Sequence, residues 1–243
     1  NNTAQLALHL TPVTTRNQCL SNPPPCTSLV TNGALAPNNY YYAYLLVTHA
    51  DRVTGVAGLK CGIAYNPLLH QGVDIFTWNL CASLEFSSTG WPNSGGGNLI
   101  TWDSTNKCQR QEPAGTGTGV VAVAGFFYLG AYSADRMDVV RRPVDGVAEI
   151  GDCVSQSYVL DSSSIQRTPY PLGSLAFSTG GAAPGYNPCG DSGGNCLISG
   201  PVVVAMGQTG VLYTAFGALP GDQFAWSVTG NAAINGPTNG AQV

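Results

Sequence analysis

Apolar and polar residues alternate with a period of two along most of the chain, the spacing of side chains that point to opposite faces of a β-strand. Leu6, Leu8 and Leu10 alternate with other residues in the first such segment. Residues 40–48 are aromatic and aliphatic; in the next segment Ala57, Leu59, Cys61, Ile63 and Tyr65 share one face, while Val56, Lys60 and Ala64 take the other. The same reading predicts strands at 73–80, 83–86, 98–102, 119–132, 137–142, 147–150, 172–177, 202–206, 211–216 and 223–228. Residues 119–132 are apolar on both faces over much of their length, which suits a central strand covered on either side. No stretch carries an i, i+3, i+4, i+7 stripe of helical length, so very little helix is expected.

Turn-rich segments separate these strands: Asn22-Pro23-Pro24-Pro25, then 87–97, 113–119, 180–188 and 230–240. Pro143-Val144-Asp145-Gly146 reads as a tight hairpin turn, because Pro presets φ and Gly accepts a positive φ after Asp. About a dozen short strands with such punctuation predict an all-β, disulfide-stabilised antiparallel β-sandwich or jelly roll. A parallel sheet would need crossover helices that the pattern does not supply. The Gly/Pro-rich stretch 180–188 marks the expected boundary. Residues 1–187 then form the main β-sandwich domain, and 188–243 form C-terminal strands, either added to the same sheets or making a small subdomain.

Composition narrows where such a fold works. The 243 residues include eight cysteines and are only 9% charged, so disulfides in an oxidising compartment are the expected reinforcement, and the chain reads as secreted, extracellular or cell-surface. A net charge of −4 with no basic stripe argues against nucleic acid as a partner. The longest apolar run, 120–129, is interrupted by Gly125 and is too short to cross a bilayer, so no membrane span is expected. The chain begins Asn1-Asn2-Thr3, as expected of a mature product whose signal peptide has been removed, and this triplet is also a formal glycosylation acceptor.

Cys19 and Cys26 bracket a proline-rich loop, and Cys189 and Cys196 bracket a Gly-rich one, so both spacings could close as short local loops. Cys61, Cys81, Cys108 and Cys153 could join neighbouring strands; eight cysteines allow 105 connectivities, and the spacing does not choose among them. No metal and no cofactor are expected, since close C-x-x-C pairs are absent and the three histidines are scattered. Asp135, Asp138, Asp191 and Asn195 lack the D-x-D-x-D spacing of a Ca²⁺ loop and read as turn residues.

Gly190-Asp191-Ser192-Gly193-Gly194 resembles the nucleophile loop of trypsin-like serine proteases, with His49 and Asp103 ahead of it in matching order. The surroundings differ from that family: His49 lies in Val47-Thr48-His49-Ala50-Asp51-Arg52 with no adjacent Cys, Asn195 follows where the family has Pro, and the chain start is unlike an activated protease's. The loop is therefore read as a clipped Gly/Ser turn, and no enzyme is expected. Trp78, Trp91, Trp102 and Trp226, with Tyr40, Tyr41, Tyr42 and Tyr44, could supply a platform on which sugar rings stack, Trp91 first because Thr89-Gly90-Trp91-Pro92 sits in a loop. His9 reads as solvent-facing or buried at a contact, and Arg141 and Arg142 as an exposed strand end.

Residues 44–47, 55–65, 80–86 and 97–103, with Tyr186-Asn187-Pro188-Cys189, resemble uncharacterised secreted β-rich proteins of environmental bacteria. The resemblance covers about residues 40–190; it implies export and a β-sandwich but no activity. The leading expectation is a non-enzymatic extracellular structural protein, a subunit that assembles with copies of itself into a filament or surface layer by strand addition, with Leu6, Leu8 and Leu10 marking the donated strand. The alternative is a carbohydrate-binding or adhesive module that stacks a polysaccharide on Trp91. A third is a hydrolase using Ser192, His49 and Asp103.

Overall fold

The computed structural model describes residues 1–14, 19–113, 117–165, 167, 170–181 and 184–189, and beyond them 197–199, 209, 213–216 and 233. The chain divides into two compact units, Asn1–Gly190 and Asp191–Val243. The first holds β1 (Gln5–Pro12), β2 (Asn32–Ala34), β3 (Tyr40–Ala50), β4 (Gly58–Ala64), β5 (Val73–Leu80), β6 (Leu84–Ser87), β7 (Gly97–Thr101), β8 (Val120–Ala131), β9 (Asp135–Val140), β10 (Ala148–Gly151), β11 (Ser157–Asp161) and β12 (Ser174–Ser178). In the second unit β13 (Leu197–Ser199) pairs antiparallel with β14 (Thr214–Phe216). The strands expected at 202–206 and 223–228 lie outside the described residues. No α-helix forms among the described residues; the helical turns are 3₁₀ pieces at Cys26–Ser28 and Thr179–Gly181.

Two sheets face each other in the first unit. One is antiparallel in the order β1-β3-β8-β5, and the other runs β6-β7-β4 and then divides, β10-β11 on one branch and β9-β12-β2 on the other. β9 and β10 both pair with β4, Val140 opposite Gly62 and Glu149 opposite Lys60. The predicted turn 143–146 is the excursion between them, closed by a 2.8 Å bond from Gly146 N to Arg142 O with Gly146 at φ 68°.

Period-two alternation sets the core. Leu6, Leu8 and Leu10 of β1, Ala43, Leu45 and Val47 of β3, and Phe127 and Leu129 of β8 are buried against Leu59, Cys61 and Ile63 of β4, with Ile100, Val139 and Phe177. Each large aliphatic or aromatic side chain so placed contributes about 1.5–3 kcal/mol. β8 is buried on both faces over most of its length, between β3 and β5, as its two-sided apolar pattern predicts.

The expectation for Leu6, Leu8 and Leu10 is corrected here. β1 pairs with β3 of its own chain from Gln5–Thr48 to Pro12–Tyr41, and the three leucines are at most 2% exposed, so donating this strand to a neighbour would empty the core. Its outer edge is also engaged: Leu6 N donates to Pro171 O, Gly173 N to Leu6 O and Leu10 N to Val30 O.

The cysteine pairing is corrected as well. The bridges are Cys19–Cys81, Cys26–Cys189 and Cys108–Cys153, so neither short local loop closes; Cys61 is an unbridged, buried core thiol, and Cys196 lies outside the described residues. Long-range closure has a visible purpose. Leu20 and Leu29, on the segment held by Cys19–Cys81, pack on Tyr44, Leu46, Val121 and Phe126, capping part of the outer face of the β1-β3-β8-β5 sheet as a second hydrophobic cluster.

Candidate functional site

The uncapped part of that outer face carries the candidate site. On β3, Tyr40, Tyr42 and Tyr44 alternate with the inward residues, and across the ladder Tyr42 sits opposite Tyr128 and Tyr44 opposite Phe126. Tyr40 faces Gly130, where a Cβ would meet the Tyr40 ring at 3.0 Å and the Phe76 ring at 3.6 Å, so only glycine leaves room between the two. A register shift between Ile75 and Thr77 accompanies the outward turn of Phe76, which is 42% exposed. The rings form one continuous strip, with centroids 5.0 Å apart for Phe76–Tyr128, 5.8 Å for Tyr42–Tyr128, 6.0 Å for Tyr40–Phe76 and 6.3 Å for Tyr40–Tyr128. Tyr40, Tyr42 and Tyr128 are half-buried.

Polar groups rim the strip. Exposed Thr77 accepts from Asn79 Nδ2 at 3.3 Å. At the other end the exposed His70 places Nδ1 2.8 Å from the Asp74 carboxylate and its ring 4.5 Å from that of Tyr132. A side-chain hydrogen bond to Tyr40, with some desolvation, holds the Tyr132 phenol above its ordinary value. Rings flanked by a carboxylate, an imidazole, an amide and hydroxyls offer apolar faces together with directional donors and acceptors.

Trp91 is not part of this platform. Its ring packs inward against Trp78 at 5.1 Å and Phe127 at 5.4 Å, and its indole nitrogen is buried with no acceptor among the described residues. Trp78 joins the sheets instead, donating from Nε1 to Glu85 Oε2 at 2.8 Å, which also accepts from Asn98 Nδ2 at 2.7 Å. Trp102 and Tyr41 are core residues and Trp226 lies outside the described residues. A separate groove of about 560 Å³ opens beside the Cys19–Cys81 bridge, lined by Leu20, Pro23, Trp102, Lys107, Gln111 and Val123.

Of the three residues of the protease resemblance, His49 and Asp103 have separate surroundings. Ser192 lies outside the described residues. Asp103 is exposed and accepts backbone bonds from Asn106 at 2.8 Å and Thr105 at 2.9 Å, the bonds that hold its carboxyl below the usual range. His49 sits instead beside sulfur: its ring nitrogen and the sulfurs of Cys26 and Cys189 all lie within 4.8 Å of one another. Burial pushes the His49 pKa below the usual imidazole value. One of the three histidines scattered along the sequence is thus brought beside two cysteines by the fold.

Of the other residues singled out, His9 is 7% exposed and accepts the Val30 N–H on Nδ1 at 3.0 Å, with burial pushing its pKa down to about 4. Arg141 and Arg142 are not a free strand end: Arg141 forks onto the buried Asp161 at 2.8 and 2.9 Å, and Arg142 reaches Asp145 at 3.1 Å. Asp135 accepts the N–H groups of Asn66 and Val73, and Asp138 pairs with Arg136 at 2.7 Å. Asp191 and Asn195 lie outside the described residues.

No protein family and no curated protein matches the chain. Among solved structures it is similar to a cohesin module from a family 33 glycoside hydrolase of Clostridium perfringens ATCC13124, at 9% identity and a TM-score of 0.38, over 71% of this chain and 98% of that one. It is also similar to a type II cohesin domain from the cellulosome of Acetivibrio cellulolyticus, at 8% identity and a TM-score of 0.36, over 70% of this chain and 95% of that one.

Proposed function

We propose that the chain is an extracellular adhesive module that takes polysaccharide on the outer face of the β1-β3-β8-β5 sheet. The observation that carries this reading is the uncapped strip of Tyr40, Tyr42, Phe76 and Tyr128, whose rings are partly exposed although the same sheet's Tyr44 and Phe126 are covered by Leu20 and Leu29. A pyranose presents a C–H face that an aromatic ring desolvates and a rim of hydroxyls that need hydrogen bonds; the strip and its flanking His70, Thr77 and Asn79 supply both. Tyrosine suits such a wet face, since its hydroxyl stays solvated while the ring makes contact. The absence of a basic patch in the composition fits a neutral glycan better than a polyanion. The N-terminal strand is committed to its own core, which leaves self-association without the segment expected to drive it.

The test is retention on a panel of insoluble polysaccharides. The wild-type chain should bind at least one of them, and Phe76→Ala and Tyr128→Ala should each lose most of that retention while circular dichroism and thermal midpoint show the fold intact. Wild-type passage through every matrix, or undiminished retention of both folded variants, would overturn the reading.

A further inference from the structure

Cys26, Cys189 and His49 form the only group of three or more convergent metal-ligating side chains among the described residues. We infer that they are a thiol-gated metal site: with the Cys26–Cys189 bridge reduced, the two sulfurs and the imidazole bind one borderline-soft divalent cation of the Zn²⁺ type. The chemistry balances with a thiol or phosphine reductant, which supplies two electrons while solvent supplies two protons to give two thiols; the cation then displaces those protons and bonds to both thiolates and to a ring nitrogen lone pair. Zn–S bonds of about 2.3 Å and Zn–N bonds of about 2.0 Å in tetrahedral geometry put such ligand atoms about 3.5–4 Å apart. The His49 ring nitrogen already lies within 4.8 Å of both sulfurs, and the two cysteine Cα atoms are 5.5 Å apart, so rotation of the side chains after reduction can open the sulfurs to that separation.

Three features hold the ligands together without the sulfur–sulfur bond. Asn187, 7% exposed, clamps both cysteine backbones, donating from Nδ2 to Cys26 O at 2.9 Å and accepting the Cys189 N–H on Oδ1 at 3.1 Å. Gln5 Oε1 and Thr48 Oγ1 lie 3.1 and 3.2 Å from the Cys189 sulfur, while Gln5 Nε2 donates to Pro188 O at 2.9 Å. Of these, the Thr48 hydroxyl is of the kind that donates to and stabilises a metal-bound thiolate, while Gln5, whose Oε1 can only accept, fixes the Cys189 segment through its bond to Pro188 O.

His49 itself has a left-handed backbone, φ 53°, inside a strand, a conformation that is strained for a non-glycine residue. That conformation belongs to a bulge in which the β3–β8 register shifts between Val47 and Ala50, so that Thr48 and His49, successive residues, both reach the cysteine pair. The facing residue, Gly119, has φ 77°, and a Cβ there would meet Ala50 O at 2.8 Å. Local strain and a matched glycine thus turn the imidazole onto the sulfurs.

The experiment is an anaerobic Co²⁺ titration of the full chain, oxidised and reduced, read by the thiolate-to-cobalt charge-transfer absorption. The reduced chain should saturate at one cobalt per chain and the oxidised chain should show no band. His49→Asn, which keeps a side chain tolerant of left-handed backbone, should weaken the apparent affinity by more than about tenfold. Cys26→Ser and Cys189→Ser should each diminish the band, whereas Cys61→Ser should leave it unchanged. In mass-spectrometric mapping, Zn²⁺ should shield Cys26 and Cys189 from alkylation more than Cys19 and Cys81, a readout that needs no variant to fold. No saturable band in the reduced chain, a band indifferent to His49→Asn, or equal alkylation of all four cysteines would overturn the assignment.

Discussion

Lowering the pH should destabilise the first unit through His9. In the folded chain its pKa falls from 6.5 to about 4 because the imidazole is buried, and its Nδ1 accepts the Val30 N–H. Protonation would break that bond and place a charge on a residue 7% exposed. Since the folded value lies below the unfolded one, the unfolded chain binds more protons between them. The contribution of His9 is therefore complete above pH 6.5 and is lost as the pH falls toward about 4. At about 1.4 kcal/mol per pKa unit the loss reaches about 3 kcal/mol. For a unit of this size that corresponds to a midpoint shift of about 6–12 °C.

The assay is thermal unfolding across pH 7 to 4 for the wild type and His9→Asn, whose amide oxygen can accept the Val30 N–H without titrating. Carboxylates and the other two histidines are common to both proteins and cancel in the difference. The wild-type midpoint should fall increasingly below that of the variant as the pH drops from 6.5. Parallel curves would refute the reasoning, because a neutral buried His9 is its only source of divergence.

Removing the Cys19–Cys81 bridge by paired serine substitutions opens a loop with a sequence separation of 62, which chain entropy values at about 4 kcal/mol. Urea unfolding should show that loss, and a hydrophobic dye should gain signal as Leu20 lifts from Tyr44 and Phe126; an unmoved midpoint would mean the clip does not stabilise the cap. Asp161→Asn should cost on the order of 2 kcal/mol, because it discharges the partner of the Arg141 fork. Arg52→Ala, opposite Glu112 with 68% of the arginine side chain exposed, should cost under about 0.5 kcal/mol. Melting both variants at neutral pH checks the contrast, and equal losses would sink it.

Most of the fold is legible in the sequence because burial on one face of a strand forces alternation, and alternation survives in the residue order. β1, β3, β4, β5, β7 and β8 fall within a residue or two of the segments that the pattern predicts. β2 and β11 do not announce themselves: Asn32-Gly33-Ala34 has no apolar side chain larger than alanine, and Ser157–Asp161 ends in a carboxylate that is buried only because Arg141 arrives from another element. β2 is held by parallel pairing with β12, a partner that local pattern cannot reveal.

The site is less legible, for a reason that the tryptophans and cysteines share. A period-two reading puts Tyr40, Tyr42 and Tyr44 on one face, but which of them stays open depends on where Leu20 and Leu29 land, and that is decided by a bridge to Cys81. Trp91 looks exposed because it sits among turn residues; it is half-buried because Trp78 and Phe127, from two strands, meet its ring. The sulfur–imidazole group is harder still. Cys26 and Cys189 are separated by 163 residues, and His49 turns toward them through a bulge whose counterpart is a glycine on β8's threshold. Alternation encodes which face a side chain takes within one strand, whereas convergence of three ligands requires the register of several strands at once. A regular strand through 47–50 would have sent Thr48 and His49 to opposite faces, so the irregularity, and not the pattern, marks the place where chemistry is concentrated.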